Sequence, residues 1–67
     1  MTLHLFQQRV VEEKHELDIK RAALNVFIGS GVFASLDDDE QARLHHQAIH
    51  MAHYSHILAD RIDAFKA

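Results

Sequence analysis

An all-α fold, an antiparallel helical hairpin, follows from three features of the sequence. Each half carries a seven-residue apolar repeat, two glycines sit near the middle, and an acidic helix-start signal lies just beyond them. The first helix is expected over about 3–28: Leu3, Val10, Leu17 and Leu24 recur every seven residues, with Phe6, Phe27 and Ile28 at the adjoining offsets. The chain has no Pro, and Gly29 and Gly31 are its only two glycines, so the turn belongs there. Gly29 is expected to end the helix in the left-handed conformation, which costs glycine nothing. Val32, Phe33 and Leu36 then suit a single helical turn plugging the open end of the hairpin. Asp37 stands three residues before Glu40 in the capping-box arrangement, and Asp38 and Asp39 favour the positive end of the helix that follows. That second helix is expected over about 38–65, with its own stripe of Leu44, Met51, Leu58 and Phe65 flanked by Ala48, Ser55 and Ile62.

Folding the chain back on itself pairs Leu24 with Leu44, Leu17 with Met51, Val10 with Leu58 and Leu3 with Phe65. One register serves all of them, as an αα-hairpin with a single buried seam requires; a coiled coil between chains shares the repeat. A second apolar set lies off this seam: Ile19, Ala22, Ala23 and Val26 on the first helix, Ile49 and Ile57 on the second. Two helices cannot bury both sets. Each large apolar side chain covered is worth roughly 1.5–3 kcal/mol, so these residues are the expected interface of a homo-oligomer, a four-helix or larger bundle.

Sixty-seven residues make one domain, 1–67, and a chain this short buries only about 60% of its unfolded surface. With no Cys, neither a disulfide framework nor a Cys-based zinc site adds stability, which leaves oligomerisation. A 48% hydrophobic and 25% charged composition belongs to a folded globular protein rather than a disordered one. The longest apolar stretch, Leu24 to Ile28 interrupted by Asn25, is far below the roughly 20 residues of a membrane span, and no signal segment opens the chain. A soluble, cytoplasmic protein without membrane contact is expected. The net charge of −3 has the wrong sign for a generic DNA binder and is too small for a DNA mimic.

Histidine is the compositional outlier, with seven copies, five of them at His45, His46, His50, His53 and His56. His46, His50 and His53 share a helix face at the spacing two ligands need to reach one metal. No acidic residue accompanies them as in a metalloprotease helix, so a solvated face is the better reading and no metal or other cofactor is expected. Protonating all seven would take the charge from −3 to +4, near the unperturbed imidazole pKa of about 6.5. Catalytic groups are scarce. Ser55 has His56 and His53 nearby in sequence, but residues one or two apart on a helix do not face each other, and the acidic run Asp37 to Glu40 is accounted for by capping. No catalytic residue is assigned and no enzyme is expected. Tyr54 and Arg61, two turns apart on the second helix, fall opposite Lys14 and Gln7 in the hairpin register. An aromatic ring, a guanidinium and an ammonium along one groove suit base stacking and phosphate pairing, which makes Tyr54, Arg61 and Lys14 the candidate ligand-binding residues. The alternative is a solvated bundle edge, with Arg61 and Lys14 paired to acidic neighbours such as Asp18 or Glu13.

Glu13-Lys14-His15-Glu16-Leu17-Asp18, Phe27-Ile28, Phe33 with Leu36, Glu40-Gln41 with Leu44, and Met51, Tyr54-Ser55, Leu58 and Arg61-Ile62 together resemble a family of small phage and prophage proteins, crAss-like phage members among them. The resemblance covers nearly the whole chain, and Tyr54-Ser55 and Arg61-Ile62 are its more distinctive parts. It implies a phage source and a helical fold rather than an activity. In architecture alone the hairpin is also similar to the sponge proteins that sequester the nucleotide signals of CBASS and Thoeris immunity. The expected function is a non-enzymatic anti-defence protein of phage type, an oligomeric sponge for a cyclic nucleotide or ADP-ribose derivative in the host cytoplasm. The alternatives are a protein-binding inhibitor of a host defence system, such as an anti-CRISPR, and a structural phage helper.

Overall fold

The computed structural model describes residues 2–65, and these form the expected hairpin: α1 (Leu5–Ile28), a single turn α2 (Gly31–Ala34) and α3 (Asp38–Ala64). The predicted boundaries hold to within two residues. α1 begins at Leu5 because the Gln7 side chain accepts the His4 backbone N–H at 2.8 Å, and Gln8 Nε2 donates to the Leu3 carbonyl at 2.9 Å. At the start of α3, the Asp37 carboxylate accepts the Glu40 backbone N–H at 2.7 Å, but the reciprocal half of the expected capping box is missing: the Glu40 carboxylate accepts from Arg43 Nε at 2.8 Å instead.

The turn departs from expectation at Gly29. Its φ is −81° and ψ 0°, and no described residue has a positive φ. The break is made by Ser30 instead. Its backbone is extended, its N–H donates to the Phe27 carbonyl at 2.9 Å, and its Oγ accepts the Phe33 N–H at 3.2 Å to start α2. A hydroxyl cap and a tight last turn thus replace the left-handed glycine. Phe33 is buried at the open end of the hairpin, edge-on to both Phe27 and His45. Gln41 Nε2 reaches back to the Phe33 and Leu36 carbonyls at 3.1 and 3.0 Å, tying the turn to the first turns of α3.

Along the seam, Val10, Leu17 and Leu58 form the core, with Met51, Ile62 and Phe65 packed against it. Among the described residues, Leu58 alone is fully buried. These are residues of the two predicted stripes, interleaved as the antiparallel register demands. The off-seam set is solvent-facing in the single chain: Ile19, Val26, Ile49 and Ile57 are all more than half exposed, and Ala22 and Ala23 are exposed as well. No helix among the described residues is long and apolar enough to cross a membrane.

Candidate functional site

One side chain in the apolar seam is polar. Ser55, a turn before Leu58, is 2% exposed, and both of its hydrogen-bonding capacities are used across the hairpin. Its Oγ donates to Asp18 Oδ1 at 2.6 Å and accepts from Lys14 Nζ at 3.0 Å. Lys14 also donates to Asp18 Oδ2 at 2.6 Å, and Arg21 Nη1 donates to Asp18 Oδ1 at 3.0 Å. Lys14, Asp18 and Arg21 lie at offsets of four and three on α1, so the helix itself lines them along one edge. The Lys14 hydrogen bond, then those of Ser55 and Arg21, hold the Asp18 carboxyl far below the usual carboxylate range. Two cations and one anion leave the cluster one positive charge in excess. One Lys14 hydrogen and most of the Arg21 fork remain for other acceptors, on side chains about a third exposed.

Geometry then divides the three candidate binding residues. Ser55 and Arg61 stand three residues either side of Leu58 and so leave the seam in opposite senses around α3; Tyr54, four residues before Leu58, falls on the side of Arg61. Lys14 meets Ser55. The structure therefore keeps Tyr54 and Arg61 together on one flank of the seam and places Lys14 on the other, committed to Asp18 and Ser55, rather than opposite Tyr54. Tyr54 is 42% exposed, and Arg61 is exposed with no ion-pair partner among the described residues. The pairing of Lys14 with Asp18 was legible as an acidic neighbour four residues on. Neither Arg21 nor the Ser55 bridge was among the expected contacts; their traces in the sequence are an arginine three residues after Asp18 and a hydroxyl on the rim of an apolar stripe.

The other candidates resolve simply. Ser55 is engaged at both ends and closed to solvent, which suits a seam fastener rather than a nucleophile. His46, His50 and His53 lie exposed on α3, and among the described residues no group of three or more His, Asp or Glu converges on a point where a metal would sit. His56 lies 3.5 Å from Asp60, an exposed pair one turn apart.

A family model described as Sequestin matches residues 5–64. The chain belongs to the Sequestin family. The matched span runs from the first residue of α1 to the last of α3, so the Sequestin unit is the entire hairpin, turn included. No curated protein and no solved structure matches this Sequestin chain. The family name denotes sequestration, a role that asks for a surface able to hold something rather than for reacting groups.

Proposed function

We propose that the protein is a non-enzymatic, phage-encoded anti-defence protein. It acts as an oligomeric sponge in the host cytoplasm, removing a nucleotide immune signal, a cyclic nucleotide or an ADP-ribose derivative, by binding it. The observation that carries this reading is the pairing of Tyr54 and Arg61 on the open flank of α3 in a chain of a sequestering family. Seven residues of helix set the Tyr54 and Arg61 Cα atoms about 10.5 Å apart along one face, so the backbone that carries both groups is fixed before a ligand arrives. The tyrosine face accepts a base by stacking, and the unpaired guanidinium takes two phosphate oxygens at once. Lys14, anchored on the far flank to Asp18 and Ser55, lies away from these two groups.

A thermal-shift series with cyclic dinucleotides, cyclic trinucleotides and ADP-ribose derivatives tests it, because a ligand bound only by the folded state must raise its melting temperature. Arg61→Lys should weaken binding although it keeps the charge, since a lysine cannot copy the planar fork. Tyr54→Ala should cost roughly 1–3 kcal/mol of affinity and Tyr54→Phe much less. A series without any stabilising nucleotide, or a ligand indifferent to Arg61→Ala, would remove the nucleotide from the reading. The exposed Ile19, Val26, Ile49 and Ile57 favour a second reading, an inhibitor that docks on a host defence protein. Pull-down from host lysate with Val26→Asp as the control distinguishes it.

A further inference from the structure

We infer that Lys14 and Arg21 form an oxyanion site on the flank opposite Tyr54 and Arg61, and that it takes the phosphate group of a small molecule. Fastening the hairpin accounts for only part of the cluster on this flank. Lys14 and Asp18 balance each other's charge, and both reach Ser55 across the seam, Lys14 Nζ at 3.0 Å and Asp18 Oδ1 at 2.6 Å. Arg21 adds nothing to that bridge. Among the described residues its one hydrogen bond is to Asp18, on its own helix, at 3.0 Å, and a part-exposed pair of this kind contributes little to stability.

The surplus cation is held in a useful geometry. Lys14 and Arg21 lie seven residues apart on α1, about 10.5 Å between Cα atoms, yet both heads lean over Asp18, Nζ on Oδ2 at 2.6 Å and Nη1 on Oδ1 at 3.0 Å. The carboxylate acts as a spacer that draws two cations together and orders them before a ligand arrives. Arg21 commits only Nη1 to it. Its Nε–H and the adjoining Nη2–H, the side-on edge that meets two oxygens of one phosphate, have no partner among the described residues, and Lys14 keeps one of its three hydrogens. Asn25, exposed one turn beyond Arg21, ends the row with an amide donor.

Charge selects an anion for this edge. Two cations against one carboxylate leave it one positive charge in excess, in a chain whose net charge is −3. Both Asp18 oxygens are engaged, so its charge is spent inside the cluster. The helix turns Glu12, Glu13 and Glu16 to other sides of α1. On α3 the row of Ser55 continues as Ala48, Ala52 and Ala59, which bring neither a competing carboxylate nor bulk that would hold a ligand away. A phosphate matches better than a carboxylate, because a third oxygen meets Lys14 while two lie on the Arg21 edge.

Nitrogen-15 NMR during titration with inorganic phosphate, at neutral pH and fixed ionic strength, tests the site. The Arg21 Nε–H and the Asn25 side-chain signals should shift and saturate together, and acetate at the same concentration should leave them in place. Arg21→Gln, read at Asn25, should weaken phosphate binding on the order of tenfold, as the loss of hydrogen bonds to a charged group does, and Arg21→Lys should not restore it. Helical circular dichroism and melting temperature should stay at parent values in both variants, since the Ser55 bridge is untouched. Adenosine 5′-monophosphate identifies the source: tighter binding than inorganic phosphate assigns the site to a nucleotide's phosphate, equal binding to the free ion. Tyr54→Ala and Arg61→Ala should leave the response unchanged, which keeps it separate from the pair proposed above. Shifts that acetate reproduces, that never saturate, or that survive Arg21→Gln undiminished would overturn the site, whatever becomes of the nucleotide reading.

Discussion

Replacing Gly29 by Ala separates the two accounts of the turn by sign. A left-handed glycine, as the sequence suggests, would make alanine cost roughly 1–2 kcal/mol, the penalty of placing a Cβ in that region. At φ −81° and ψ 0° any L-residue is allowed. A Cβ built there meets the Val26 carbonyl oxygen at 3.6 Å and that of Asn25 at 3.8 Å, both ordinary contacts, and the Gly29 N–H bond to Asn25 at 3.3 Å is unaffected. Gly31, the first residue of α2, has open space where its Cβ would be. Alanine then acts through the unfolded chain, which loses conformational freedom, and stabilises by about 0.4–1 kcal/mol at each site. For a domain this small each kcal/mol moves the melting temperature by roughly 4–8 °C, so Gly29→Ala/Gly31→Ala should melt about 4–15 °C higher. The assay is thermal unfolding followed by circular dichroism at one fixed chain concentration, since association shifts apparent stability. Gly29→Asn serves as the control, because asparagine tolerates the left-handed region better than alanine does. A Gly29→Ala variant that melts lower than the parent, with Gly29→Asn above it, would refute the reasoning.

Ser55→Ala should cost about 1–2 kcal/mol: hydrogen bonds to charged partners are worth somewhat more than neutral ones, but Lys14 and Asp18 keep each other and part of their solvent. The cost should be full at neutral pH. Because the Asp18 carboxyl titrates far lower in the folded than in the unfolded chain, its share of the stability is complete above the unfolded value of about 3.9 and fades as pH falls from there toward the folded value, so the gap between parent and Asp18→Asn should have begun to narrow at pH 3. Denaturant titration at pH 7 and pH 3 reads both effects. Leu58→Ala, at a fully buried side chain, should cost about 2–4 kcal/mol and leave little of the stability of a chain this size, whereas Ile57→Ala, its exposed neighbour, should cost under about 1 kcal/mol in the single hairpin. His46, His50 and His53 replaced together by Gln should leave helical circular dichroism unchanged at neutral pH; stoichiometric metal retained by the parent and lost by the triple variant would contradict that.

The helices were legible because their signals are local. A seven-residue apolar repeat, a single Asp37 cap and the glycine pair depend only on positions along the chain, and the seam of Val10, Leu17 and Leu58 follows from them. Phe33 as the plug was legible for the same reason. Gly29 was misread because a glycine after a helix has two uses, and the choice between them was made by the Ser30 hydroxyl, which competes for the same backbone groups. The flanks were harder still. Register alone sets Lys14 opposite Tyr54, but which way a long side chain turns depends on what it finds beside the seam, and Lys14 finds Asp18 and Ser55.

A stripe that repeats every seven residues specifies the face of a helix well and its register poorly, since sliding one helix by seven residues matches leucine to leucine again. The short turn forbids such a slip within one chain, though not between chains exchanging helices. The cluster at Ser55 supplies the missing discrimination. A slip by seven would put Gln7 or Arg21 where Lys14 stands and Val11 or Asn25 where Asp18 stands, so the buried Ser55 hydroxyl would lose its charged acceptor. The native register thus carries a polar lock on one flank, while the opposite flank, where Tyr54 and Arg61 project from a single uninterrupted helix, needs no lock. Sequestration as proposed above asks only that these two groups stay in place, and α3 held in one register provides that without an enclosing fold.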